Sequence, residues 1–428
     1  MRRQKIATVL AWLLMFILPL PLIMLLNQGL IETATNLVIY DLGIAAYVWW
    51  LALVVIATRP KWLEQLIGLP TLYSIHGVIG IVALVAATLH KFNSFSMFPL
   101  IKETGNYAWY LMLFVIGYAV LFMSGWLVDR SKLFSDIKRL LEEKLLKHQV
   151  SVWLHRLVFI AIGLVWVHVM LIPRLGNVAG FRAVFNLYTL VALGWYVVYK
   201  VNQKFGQADA IVSENHSLSA DLQQVVLKLK DPQKQYRAGD FYFLAFKSNF
   251  KISGEAHPFS VASAPTVDPN EVIFMIHKLG DFTKRIETIP VGTKVKLEGP
   301  FGLFDRYVKE AKGPVILYGL GTGVAPLFSL AIQYAGQKNI RLIWSTNGQE
   351  PGSYYTEQLE QLAKQGVAVN VKAHRFVAGE LQQILSQAEV QNGLVITVGS
   401  AAVVLKVQQT LRDIGFSATQ LLDERITM

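Results

Sequence analysis

The chain of 428 residues contains no cysteine. Disulfides, thiolate metal sites, iron–sulfur clusters and cysteine nucleophiles are therefore excluded, and any metal must take nitrogen, oxygen or thioether ligands. Charge is scarce as well. Asp, Glu, Lys and Arg make up 16% of the residues, against about 25% in an ordinary soluble domain. Apolar residues fill the gap: 53% of the chain is hydrophobic and mean hydropathy is +0.41. That abundance excludes a disordered chain and argues against a plain soluble one. The net charge of +11 is lopsided. Residues 1–200 hold 17 Lys/Arg against 8 Asp/Glu, and residues 201–428 hold 23 against 21. The positive excess sits in the apolar half, which points to membrane topology and away from a nucleic-acid partner.

Six apolar runs fill that half: Ile6–Leu26, Leu37–Ala57, Leu72–Leu89, Ala108–Val128, Val152–Ile172 and Phe185–Val201. At 1.5 Å per residue each suits a hydrocarbon core of about 30 Å. The first follows Met-Arg-Arg-Gln-Lys but is too long for a signal peptide and reads as a retained helix. Alternate connections carry thirteen Lys/Arg against four, which places both termini and everything after residue 200 in the cytoplasm of a multi-pass cell-membrane protein. Spans three and five then run from inside to outside. Ser131–Lys147 reads as an amphipathic helix on the inner side.

Four of the nine histidines fall in spans: His76 and His90 in the third, His155 and His168 in the fifth. Ionisable groups within spans are functional by default. The two spacings, 14 and 13 residues, are rises of about 21 and 20 Å. His76 thus lies level with His155 on the inner side, and His90 with His168 on the outer. Facing imidazoles fit a bis-histidine haem, another metal or an interhelical hydrogen bond. Zinc asks for further ligands, and no carboxylate lies in these two spans. Haem asks for two axial nitrogens and apolar walls. A 14-residue step returns within about 40° of the same helix face, but a 13-residue step misses by about 140°. The fifth span must bend or overwind. Arg156 either meets a haem propionate or snorkels at the boundary.

After residue 204 the runs shorten to strand length. Gln223–Lys230, Asp240–Phe246, Phe259–Ala262, Glu271–His277 and Lys294–Glu298 read as a small antiparallel barrel. Val315–Tyr318, Ile340–Ser345, Ala368–Ala373 and Leu394–Val398 alternate with helices and read as a parallel α/β sheet. Pro314–Pro326 is a strand, a glycine-rich turn and a helix start, in which Gly319, Gly321 and Gly323 would let backbone amides approach phosphates. Gly399 and Ser400 end a later strand at the same carboxyl edge, where ligands bind in doubly wound sheets. In His257-Pro258-Phe259-Ser260 an aromatic could stack on a flat ring and a hydroxyl could meet a ring nitrogen. Leu279-Gly280-Asp281-Phe282-Thr283 opens a helix and is another candidate phosphate site. Glu298-Gly-Pro-Phe-Gly302 is a turn suited to lie beside a cofactor.

The ordered set of these motifs behind two histidine pairs resembles the NADPH oxidase and ferric reductase superfamily over nearly the whole chain, and within it a prokaryotic NADPH oxidase. The resemblance implies a multi-domain protein: a six-helix transmembrane haem bundle (1–205), then a ferredoxin-reductase-like module. That module would comprise an antiparallel β-barrel FAD domain (206–308) and an α/β parallel-sheet NAD(P)H domain (309–428). It implies that His76 and His155 ligate an inner b-type haem and His90 and His168 an outer one. Phe259 would stack near the flavin and Ser260 would hydrogen-bond its N5 region. His257 would approach the FAD phosphates with Pro258 and Gly280 shaping the cradle, beside Thr283 and either His277 or Lys278. Gly319, Gly321, Thr322, Gly323 and Pro326 would form the NADPH (or NADH) phosphate turn. Gly399, next to Ser400, would let nicotinamide lie close to flavin. The family often has Cys-Gly-Pro where this chain has Val398, Gly399 and Ser400, and often ends in an aromatic where this chain ends Arg425-Ile-Thr-Met428. The strand end at Trp344–Asn347 lacks the arginine that in the family often grips a 2′-phosphate; Ser345 and Arg375 are the alternatives.

The activity so implied is oxidation of NAD(P)H with outer-sphere reduction of dioxygen to superoxide on the outer face, in the lipid bilayer and with no obligate protein partner. Arg174, just outside His168, would attract the anionic product or pair with a propionate. Reduction of ferric or cupric chelates uses the same wiring and stays open. An external protein or quinone acceptor and a nucleotide-sensing transporter are the remaining alternatives.

Overall fold

A computed structural model of the chain describes residues 2–123, 148–206, 208–231, 236–247, 256–280, 282–346 and 353–426. Two compact units divide it, Met1–Phe205 and Gly206–Met428. The amphipathic helix expected over Ser131–Lys147 lies outside the described residues, as does the end of the fourth span after Met123.

The first unit holds six helices long and apolar enough to cross a membrane: Gln4–Gly29, Ala34–Ile56, Leu69–Asn93, Pro99–Met123, Val150–Leu171 and Phe181–Phe205. The first breaks between Ile17 and Leu20. Pro19 has no N–H for the Met15 carbonyl, and the Trp49 indole donates to that carbonyl instead, at 2.7 Å. The second helix is buried on every side from Ile44 to Leu51, the pattern of a central helix. The fourth begins nine residues before the apolar run that marks it in the sequence, at Pro99 rather than Ala108. Lys102, Glu103 and Asn106 occupy its first turns and dilute hydropathy where a helix end meets an interface.

The fifth span pays for its 13-residue spacing visibly. It divides into helices His148–His155 and Val158–Leu171. Between them Leu157 N bonds Leu154 O, Phe159 N bonds Arg156 O and Ile160 N bonds Leu157 O, all three residues apart. Three-residue closure winds about 120° per residue instead of 100°, which turns His168 back toward the face of His155.

The second unit begins with a six-stranded antiparallel sheet of order β4-β3-β6-β1-β2-β5. Its strands are β1 Ala210–Ser217, β2 Leu222–Leu229, β3 Phe241–Lys247, β4 His257–Ser260, β5 Glu271–His277 and β6 Lys294–Phe301. A Val261–Phe274 bridge joins the ends of the sheet and closes the barrel. β1 is not evident in the sequence, because Ser213 to Ser217 are polar; it holds its place by pairing with both β2 and β6.

A five-stranded parallel sheet follows, of order β11-β10-β7-β8-β9. These strands are β7 Val315–Leu320, β8 Ile340–Ser345, β9 Ala368–Lys372, β10 Leu394–Ser400 and β11 Leu421–Ile426. The edge strand β11, with Asp423, Glu424 and Arg425 among its six residues, is likewise not evident as a strand in the sequence. Chain order reverses between β7 and β10, so the sheet has its topological switch point there. The two sheets share a core: Leu222, Ala238, Ala262 and Met275 of the barrel join Leu317, Leu327 and Leu330 of the α/β layer in one buried cluster.

Candidate functional site

The histidines of the first unit meet in pairs. The rings of His76 and His155 have centroids 6.0 Å apart and planes at 54°. Those of His90 and His168 are 6.4 Å apart and at 87°. Two collinear metal–nitrogen bonds of about 2 Å, with about 1.1 Å from each nitrogen to its ring centre, put coaxial imidazole centroids about 6.2 Å apart. Both pairs match that span. A hydrogen bond on one ring nitrogen decides which nitrogen is left available. The Nδ1–H of His90 donates to the Ile39 carbonyl at 2.9 Å, and that of His168 to the Ile101 carbonyl at 2.7 Å. Each Nε2 lone pair is thereby left for a ligand bond. His76 is hydrogen-bonded to the backbone of Leu53. His155 Nδ1 is buried with no hydrogen-bond partner among the described residues. Among those residues no group of three or more His, Cys, Asp or Glu side chains is placed to hold an ion. The donor set fits a metal held from two sides, as in bis-histidine haem.

Arg174 does not stand free at the His90 and His168 end of the bundle. It pairs with Glu32 at 2.5 Å and lies 4.8 Å over the Tyr40 ring, whose edge meets His90 with centroids 6.4 Å apart. Its charge is already matched, which weakens its reading as a bare attractor for an anion. Arg156 lies 5.0 Å over the Trp153 ring.

In the barrel, β4 carries the His257-Pro258-Phe259-Ser260 stretch. Alternation puts His257 and Phe259 on one side and Pro258 and Ser260 on the other. Phe282 stacks on His257 at 3.8 Å and on Phe259 at 6.2 Å. The motif around Phe282 stands out in the sequence, but its aromatic ring had no assigned part. Gly280 N donates to Thr283 Oγ1 at 2.9 Å, and the helix that opens here is a 3-10 helix, Thr283–Thr288. Lys278 is paired with Glu287 at 2.6 Å and bonded to Ser217. Burial holds the neighbouring His277 imidazole below its ordinary range, with Asp221 opposing. The structure thus brings His257, Phe259 and Phe282 together, with Thr283 next to Phe282 in the chain.

At the switch point of the parallel sheet the two glycine turns touch. A Cβ on Gly323 would stand 2.4 Å from the Val398 carbonyl oxygen, and one on Gly399 would stand 2.6 Å from Leu320 Cβ. A Cβ on Gly319 would stand 2.9 Å from Val324 Cα, while Gly321 has φ +57° and open space where a side chain would be. The Trp344 indole holds the Gly321 carbonyl at 2.9 Å. Thr322 lies in the same turn, and Pro326 starts the helix Ala325–Tyr334, where its missing N–H costs nothing. Ser400 is exposed at the start of helix Ala401–Asp413.

Glu424 is the acidic residue of this edge that the sequence did not point to. It pairs in register with Val398, and burial, helped by Asp423, pushes its carboxyl up to about 7. A carboxyl whose folded pKa exceeds its unfolded value contributes stability at low pH and loses it as pH rises toward the folded value. Glu424→Gln is therefore expected to raise the thermal midpoint by several degrees at pH 8, with the gap closing toward pH 5. Equal midpoints at pH 8 would count against burial of the charge.

Residues 213–304 match a family described as an FAD-binding domain. The chain is 29% identical over 164 residues to the ferredoxin–NAD(P)+ reductase component of the naphthalene 1,2-dioxygenase system of Pseudomonas putida, covering 37% of this chain and 46% of that protein. It is 27% identical over 155 residues to ferric/cupric reductase transmembrane component 1 of Candida albicans, covering 33% of this chain and 20% of that protein. The chain spans less than half the length of these two relatives. A ferredoxin NADP+ reductase structure from Neisseria gonorrhoeae superposes with TM-score 0.44 at 16% identity, over 50% of this chain and 97% of that one. The closed barrel of the second unit is thus similar to FAD-binding domains.

Proposed function

We propose that the chain is a transmembrane NAD(P)H oxidase: NAD(P)H is oxidised on the cytoplasmic side and dioxygen is reduced to superoxide on the outer face of the cell membrane. One NAD(P)H gives a proton and two electrons, and each electron converts one dioxygen to one superoxide. Bound FAD would convert a two-electron donor into single electrons, and two b-type haems would carry single electrons across the bilayer. The observation that carries the reading is the pair of facing imidazoles at each of two levels in a six-span bundle. The distribution of Lys and Arg supports the orientation.

The chain's own residues divide the work. His76 with His155, and His90 with His168, would hold the two haem irons through ring nitrogens, and the Ile39 and Ile101 carbonyls fix two of the tautomers. His257, Phe259 and Phe282 line the flavin side of the barrel, with Ser260 toward the N5 region and Gly280 and Thr283 at the phosphates. Backbone amides around Gly321, Thr322 and Gly323 take the nucleotide phosphates at the helix start. Gly399 lets the end of β10 lie against Leu320, and nicotinamide would approach flavin beside it.

The similarity to fungal ferric reductase components favours a second reading, in which the outer acceptor is a ferric or cupric chelate. Anaerobic visible spectra of the detergent-purified protein, before and after NADPH and then in air, separate the two. Haem bands that sharpen with NADPH and revert in air are expected. Bands that persist in air until a ferric chelate is added would establish the reductase instead. Absence of haem bands would make the histidines structural and end both readings.

A further inference from the structure

The outer pair has a device that the inner pair lacks. Each outer imidazole gives its Nδ1 proton to a carbonyl inside an intact helix: Ile39 in the second span and Ile101 in the fourth. A helical side chain covers the turn on the N-terminal side of its own Cα, so the residue four places on shields such a carbonyl. Four places after Ile39 is Gly43, and four places after Ile101 is Gly105. A Cβ on Gly43 would stand 3.0 Å from His90 Nδ1, and one on Gly105 would stand 3.0 Å from His168 Nδ1. The same arrangement occurs twice, on different helices, around the two rings of one pair. At the inner pair, the place four after Leu53 is Ala57, and His155 Nδ1 has no partner among the described residues.

We propose that Gly43 and Gly105 are positioning residues that seat the two outer histidines on backbone carbonyls and hold their rings crossed. The 87° between those planes is close to the maximum, so any turn of either ring reduces it. This rests on the haem reading above. The angle has a direct readout in low-spin ferric haem: crossed axial planes keep two iron d orbitals nearly degenerate and spread the signal to high g, and turning the planes toward parallel lowers its largest g value.

The test is low-temperature EPR with haem counting on the full-length oxidised protein. The wild type is expected to give two low-spin signals, the higher from the outer pair. Gly43→Ala and Gly105→Ala are each expected to lower the largest g value of that signal or remove it, leaving the second signal and the flavin content unchanged. Alanine favours helix over glycine, so neither variant should unfold, and each checks the other. Gly163→Ala, with nothing within 4 Å of the added carbon, is the control and should change neither signal. Two unshifted signals in both seat variants would overturn the proposal. A wild type without haem would fail the functional reading instead.

Discussion

His168→Ala is expected to leave the purified protein with one haem in place of two and to slow NADPH-driven reduction of outer acceptors at least about a hundredfold. The ring of His168 faces His90 across 6.4 Å. Alanine removes one of the two nitrogens that can hold a metal there, and the remaining imidazole has no second protein ligand. The Ile101 carbonyl that received its proton keeps the ordinary helical bond to Gly105, so the fourth span loses little. Flavin reduction by NADPH belongs to the other unit and should keep its rate. Haem counting and rapid-mixing absorbance measure both quantities on one sample. Two haems per chain in the variant would show that His168 is not a ligand. An unchanged flavin rate beside a lost outer reaction would place the defect after the flavin.

Placement that depends on depth or spacing was readable from sequence, and placement that depends on backbone exposure was not. Four histidines at matched depths in two parallel-running spans stand out because ionisable groups are rare in such segments. Even the awkward 13-residue spacing carried information: it demanded a bend or overwinding, and the three-residue hydrogen bonds around Arg156 and Leu157 supply the overwinding. The strand–glycine–helix turn at Gly319–Pro326 was readable for a similar reason, since few structures other than a βα turn use that composition. Gly43 and Gly105 were not readable as functional. In a run of apolar residues a glycine looks like any small packing residue, and only the ring of His90 or His168 above it reveals a seat. Phe282 needed the fold to bring it over His257, and Glu424 lies on a strand whose charges conceal it. β1 has the same character, because its outer half is polar and its register is set by its two neighbours.

Gly399→Val tests the other end of the electron path. The prediction follows from a crowded contact, because a Cβ at this position already falls 2.6 Å from Leu320 Cβ and 3.1 Å from Leu320 Cδ1. Overpacking of this kind costs about 1–3 kcal/mol. If the strand end yields, the valine projects at the carboxyl edge where β7 and β10 part. If Leu320 yields, the turn at Gly321–Val324 moves with it. Either movement falls on the proposed nicotinamide and phosphate positions. A misplacement of about 1 Å between reacting groups can cost about a hundredfold, so flavin reduction by NADPH should slow about ten- to a hundredfold. FAD content, haem content and reduction by dithionite should stay as in the wild type, because the barrel and the bundle do not use Gly399. Gly379→Val is the control: it lies in helix Ala378–Ile384 with nothing within 4 Å of the added carbon. A Gly399→Val protein that keeps its flavin reduction rate would remove this glycine from the nicotinamide site. A protein that loses FAD as well would mean that the substitution reaches the barrel through the core shared by the two sheets, where Leu222 and Ala262 pack with Val398.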